Sequence, residues 1–264
     1  MRLSRLFLVY VLSTAAAMAI PFALGGFDYA LRSAKPVNSE PALEATPAVY
    51  EVANSGNSQY ALPACIGHDA TEYYGERGYF YADAQTGNKR YFTEDVWSSH
   101  FHSCAIGTDG TVYALASTDR GALLNTYTPS GNLKWRISLP EVFSRVALSS
   151  TGIAYIIARE RNGPSTLHAY NPDGSARWEV PLANDTSASW APVGPVIGPD
   201  GIVYAASDDQ TAPALFAIDD GKKLWSVPLA ARAEHLIVGP EGRLFVHIPA
   251  GNIAAFDSRG QKLW

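Results

Sequence analysis

The chain says one phrase over and over, at an interval of about forty residues. In its clearest copy, Gly201-Ile202-Val203-Tyr204-Ala205 leads to Leu215-Phe216-Ala217-Ile218-Asp219, then to Gly221 and Leu224-Trp225. The opening glycines are Gly110, Gly152, Gly201 and Gly242, separated by 42, 49 and 41 residues. The closing tryptophans are Trp135, Trp178, Trp225 and Trp264, separated by 43, 47 and 39. A glycine precedes each tryptophan (Gly131, Gly174, Gly221, Gly260), and an aromatic follows each opening glycine (Tyr113, Tyr155, Tyr204, Phe245). A worn copy lies upstream: Gly87 stands 44 residues before Gly131, and Tyr91 stands 44 before Trp135. Four clear units and one degenerate unit are therefore expected. Such units are stable by stacking on copies of themselves.

The content of the unit sets its fold class. The apolar runs are short, rich in Tyr, Val, Ile and Trp, and bounded by turn signals, as in β-strands. Thr108-Asp109-Gly110, Pro199-Asp200-Gly201 and Pro240-Glu241-Gly242 read as hairpin turns in which Gly takes a positive φ. No stretch of ten or more residues after position 35 carries a helical period. A period near 43 residues matches one four-stranded blade, so the expected fold is an all-β propeller over residues 63–264. In the second full unit, strands are expected over 144–148, 153–158, 166–170 and 176–181. Trp135, Trp178, Trp225 and Trp264 are expected to pack between neighbouring blades as structural residues. Propellers typically hold about four to eight blades, and the family that this unit resembles commonly has seven or eight; five units fill the chain after its leader. Two arrangements meet that count: a fragment of a larger ring, or a short ring or arc that associates with another copy.

The unit resembles the repeat of the pyrroloquinoline-quinone-like propeller superfamily: a Gly, a Val-Tyr pair, an Ala-Leu/Phe-Asp stretch, then Gly-x-x-x-Trp. Residues 195–228 carry the closest copy, and the resemblance extends over roughly residues 64–264. It implies one of two roles, since the superfamily holds quinone-dependent alcohol and sugar dehydrogenases and also non-enzymatic extracytoplasmic scaffolds. The dehydrogenases use a quinone, a calcium ion, an Asp base and often an adjacent Cys-Cys pair. This chain has only Cys65 and Cys104, which are not adjacent. Asp109, Asp173 and Asp200 fall in turns, where Asp bonds its own backbone; Asp219 and Asp257 occupy repeat positions and read as structural. The expectation is a non-catalytic scaffold or binding module for protein or small-molecule partners, with no catalytic residue, cofactor or metal. A quinone-dependent dehydrogenase is the alternative.

Arg2 and Arg5 precede the uncharged residues 6–27, which read as a secretory signal, with Ala17-Met18-Ala19 a fitting cleavage site, or as a retained membrane anchor. Either places the repeats in a periplasmic or extracellular space. Residues 28–62 read as a flexible linker, with Pro36, Pro41 and Pro47 opposing helix and Val49-Tyr50-Glu51-Val52 available as one ring-closing strand. Two cysteines in an exported chain suggest a disulfide, and Cys65 and Cys104 fall on equivalent strands of adjacent blades, one residue out of register. His100, His102 and Cys104 alternate, and with Cys65 and His68 they offer sulfur and nitrogen ligands, but the disulfide would consume both thiolates. His168, His235 and His247 read as ordinary strand or loop histidines. The 20 basic residues are outnumbered by 25 acidic ones and form no stripe, which excludes a nucleic-acid partner. Residues 183–194 are the main insertion in the period; they hold the acceptor pattern Asn184-Asp185-Thr186 and Trp190, the one loop residue singled out for partner contact.

Overall fold

The structure is a computed structural model. It describes residues 65–67, 69–76, 79–83, 89–92, 100–118, 121–142, 144–159, 163–182, 192–207, 209 and 211–264. The expected signal or anchor (1–27), the linker (28–62), His68, the Asn184 acceptor and Trp190 lie outside these residues.

The described residues form antiparallel sheets that follow one another along the chain, with no α-helix among them. The first sheet holds β1 (Cys65–Ile66), β2 (Glu72–Glu76), β3 (Tyr79–Asp83) and β4 (Lys89–Phe92). The second holds β5 (His100–Ile106), β6 (Val112–Thr118), β7 (Gly121–Tyr127) and β8 (Leu133–Leu139). The third is built on β10 (Ala147–Leu148), β11 (Ala154–Arg159), β12 (Ser165–Tyr170) and β13 (Ala176–Pro181), with β9 (Glu141–Val142) pairing to β11. The fourth holds β14 (Val193–Ile197), β15 (Val203–Ala206), β16 (Ala214–Asp219) and β17 (Lys222–Pro228). The fifth holds β18 (His235–Val238), β19 (Leu244–Ile248) and β20 (Asn252–Phe256).

Apart from β9, the strands of each sheet lie in chain order. Between sheets, the first strands meet in series: β1 touches β5, β5 touches β10, β10 touches β14 and β14 touches β18. That is the radial plan of propeller blades, as the repeat predicts. The degenerate upstream copy is a complete four-stranded blade. The third blade departs from the expected inner strand in one respect. Its regular pairing is confined to Ala147 and Leu148, while the Ser144 hydroxyl replaces a ladder bond by accepting from the Ile157 N–H at 2.7 Å. The fifth blade has three strands, and its outer edge carries the beginning of a fourth: Phe256 pairs with Lys262, and the Leu263 N–H donates to Ala255 O at 2.8 Å.

The core is a series of seams between sheets. In β15, Tyr204 and Ala206 pack toward the fifth sheet, with Leu236, Leu244 and Val246; Val203 and Ala205 pack toward the third, with Ile157, Leu167 and Val180. Strand alternation sends successive residues to opposite faces, so a run of consecutive apolar residues is required when both faces are covered. All four β15 residues are buried. The outer strands show the reverse: β17 is mostly exposed and keeps only Trp225 and Val227 turned toward the seam.

Candidate functional site

The repeated phrase locks one blade to the next. The Trp135 indole lies over the turn of the following blade, so close that a Cβ on Gly174 would sit 2.9 Å from its Cδ2. Trp178 covers Gly221 and Trp225 covers Gly260 in the same way. Within its own blade each indole meets the aromatic of the second strand: Tyr113 with Trp135 (ring centres 5.7 Å), Tyr155 with Trp178 (5.6 Å), Tyr204 with Trp225 (5.8 Å) and Phe245 with Trp264 (6.3 Å). The Tyr113 hydroxyl then donates to Gly152 O of the next blade at 3.1 Å. Trp135, Trp178 and Trp225 thus each pack against the next blade, whereas Trp264 leaves 51% of its surface exposed.

The lock varies in one place, for a local reason. Trp135 Nε1 donates to Pro172 O at 2.9 Å, and Trp225 Nε1 donates to Ser258 O at 3.0 Å. Each acceptor lies two residues before its turn glycine. Buried Trp178 Nε1 has no partner among the described residues. The turn it covers is Asp220-Gly221, in which both residues have positive φ (41° and 79°), the two-residue primed hairpin type. The five-residue loop 171–175 of the third blade is replaced there by these two residues between the paired Asp219 and Lys222. The carbonyl that serves the other indoles is therefore not presented.

The acidic residues at the turns are occupied by their own backbone. Asp109 Oδ1 accepts from the Thr111 N–H (2.9 Å), Asp173 Oδ1 from Ser175 (2.9 Å), and Asp200 Oδ1 from Ile202 (3.1 Å). Asp257 Oδ1 accepts from the Arg259 and Gln261 N–H groups. Burial alone would raise Asp109, but the Thr111 hydrogen bonds and the Lys134 ammonium outweigh it and hold the carboxyl below its ordinary value. The Thr111 hydroxyl donates to Asp109 Oδ2 at 2.7 Å. Burial pushes the Tyr113 and Tyr204 phenols up to about 12, with smaller contributions from nearby carboxylates. These perturbations arise in seams and turns.

Cys65 and Cys104 form the disulfide, with Cα atoms 5.8 Å apart, and join β1 to β5. Cys65 pairs with Tyr73 whereas Ala105, not Cys104, pairs with Tyr113, so the expected one-residue offset is present. Among the described residues no group of three or more His, Cys, Asp or Glu side chains is placed to hold a metal. Nor do they fit the quinone and calcium of the dehydrogenases: the cysteines tie two sheets together, and Asp109, Asp173 and Asp200 are engaged in their turns. No described helix is long and apolar enough to cross a membrane.

Two histidines that read as ordinary in the sequence come together. His235 and His247 are direct cross-strand partners in β18 and β19, with ring centres 5.7 Å apart and planes 26° from parallel. Glu234 Oε2 lies 3.2 Å from His247 Nδ1, and Arg232 lies 3.7 Å from the other Glu234 oxygen. The signal was legible only through register: 235 and 247 are equidistant from Glu241 at the turn.

The family model described as outer membrane protein assembly factor BamB matches residues 163–264. Among curated proteins, none matches the chain significantly in sequence. Virginiamycin B lyase from Staphylococcus aureus superposes with a TM-score of 0.58 at 15% identity, over 75% of this chain and 67% of that one. BamB from Moraxella catarrhalis superposes with a TM-score of 0.55 at 20% identity, over 77% of this chain and 60% of that one. One fold thus carries a lyase and an assembly factor, and it does not by itself decide between catalysis and scaffolding. The repeat, the blade geometry and these likenesses together identify the described residues as a β-propeller.

Proposed function

We propose that the chain is a non-catalytic propeller scaffold that binds protein partners outside the cytoplasm. The match of residues 163–264 to the family model of an outer membrane assembly factor carries this reading. The Cys65–Cys104 disulfide supports the compartment independently, since such bonds persist in oxidising spaces. Residues 1–27 would deliver the repeats there, as a cleaved signal or as a membrane tether. Exposed outer strands and polar turns among the described residues offer surface for such contacts, and Trp190, read from the sequence as a loop residue, would add to them.

Two measurements on the full chain test this. Thiol alkylation under denaturing, non-reducing conditions is expected to leave both cysteines unlabelled in protein taken from cells; free thiols would contradict an oxidising location. Pyrroloquinoline quinone with Ca²⁺ is expected to give neither absorbance change nor dye reduction with alcohols or sugars. Quinone-dependent turnover would overturn the scaffold reading.

A further inference from the structure

The fifth blade breaks the repeat at one face. In the second, third and fourth blades, the residue two after the second-strand tyrosine is Leu115, Ile157 or Ala206, each fully buried in the seam to the next blade. The same position in the fifth blade is His247, and its cross-strand partner is the exposed His235. Where the other blades bury a leucine, isoleucine or alanine, the fifth presents an imidazole paired with a second one, with Glu234 behind His247.

From this geometry we propose that His235 and His247 form a two-histidine site for a divalent transition-metal ion of the imidazole-preferring class. Such ions include zinc and copper. Zn–N bonds are about 2.0–2.1 Å, and a tetrahedral ion puts the centres of two bound imidazole rings about 5 Å apart. The rings already stand 5.7 Å apart, held near that separation by direct strand pairing. Coordination through Nε2 leaves the proton of His247 on Nδ1. That nitrogen is buried without a hydrogen-bond partner, and Glu234 Oε2, 3.2 Å away but off the hydrogen-bond line, is the acceptor it would turn to. Carboxylates in this position orient metal-bound histidines. Arg232 beside Glu234 balances the carboxylate charge, which makes Glu234 a positioning residue and leaves the remaining coordination positions to water.

Zinc titration of the untagged full chain, read by competition with a chromophoric chelator, tests the site. One ion is expected to bind at micromolar free zinc. His235→Ala and His247→Ala are each expected to abolish that binding, and Glu234→Gln to weaken it about tenfold. His168→Ala, in the third blade, is expected to leave it unchanged. Circular dichroism confirms that each variant is folded, and His235, at an exposed position, is the variant least able to disturb the core. Absence of binding at 100-fold higher zinc, or binding that survives both histidine substitutions, would overturn the proposal.

Discussion

Substituting Gly174 by alanine tests the interblade lock against an internal control. Gly174 has φ +88°, and a Cβ there would lie 2.9–3.3 Å from Trp135 Cδ2, Cγ and Cε2. The backbone cost of a left-handed non-glycine residue is about 1–2 kcal/mol. The indole cannot retreat freely, because its Nε1 is tied to Pro172 O in the same turn at 2.9 Å. Overpacking of this kind adds about 1–3 kcal/mol. Gly201 has nearly the same φ, +82°, but no atom lies within 4 Å of its Cβ position. Gly201→Ala should therefore cost only the backbone share. With a urea m-value of about 2 kcal/mol/M, the extra steric cost separates the two midpoints by ~0.5–1.5 M. Urea unfolding followed by far-ultraviolet circular dichroism gives both midpoints. In a Trp135→Leu background the difference should vanish, as a double-mutant cycle requires. Equal midpoints for Gly174→Ala and Gly201→Ala in the native background would refute the lock.

Three other outcomes follow from the same contacts. Trp225→Phe should cost about 1 kcal/mol more than Trp178→Phe in urea unfolding, because only Trp225 loses a hydrogen bond from its indole nitrogen. Reducing the Cys65–Cys104 bridge opens a loop of sequence separation 39 and should lower stability by about 4 kcal/mol, seen as a drop in urea midpoint with dithiothreitol; coincident curves would count against it. Tyr113 and Tyr204 ionise near 12 when folded and near 10 when unfolded, so their contribution is full below pH 10 and is lost as the pH rises toward 12. At about 3 kcal/mol each, they should make unfolding steeply alkaline-sensitive in that window, and Tyr204→Phe should flatten the dependence.

The fold was legible because the repeat is a packing rule written in residue types. The aromatic, the tryptophan and the turn glycine recur together because they touch across each seam, and their spacing counted the blades before any contact was known. Turn aspartates were equally legible, since their bonds run to residues two positions away. Cys65 and Cys104 were readable by their near-repeat separation. Other features depended on distant partners. Nothing local to Ser144 marks it as a surrogate for a ladder bond to Ile157, and nothing in Glu141–Val142 announces a fifth strand on β11. The orphaned Trp178 nitrogen follows from a shortened hairpin in the next blade. His235 and His247 read as ordinary histidines because eleven residues of chain lie between them; only the register of β18 and β19 makes them neighbours.

The bridge between the first two blades also gives that seam a clock. Cys104 is only 5% exposed and Cys65 only 4%, and the chain has no other cysteine. Once reduced, either thiol meets an alkylating reagent only while β1 and β5 are parted. The labelling rate after reduction therefore reports the opening frequency of one seam alone, free of signal from the three tryptophan-docked seams that follow it. The native sequence thus supplies a chemical readout of a single junction without an introduced residue.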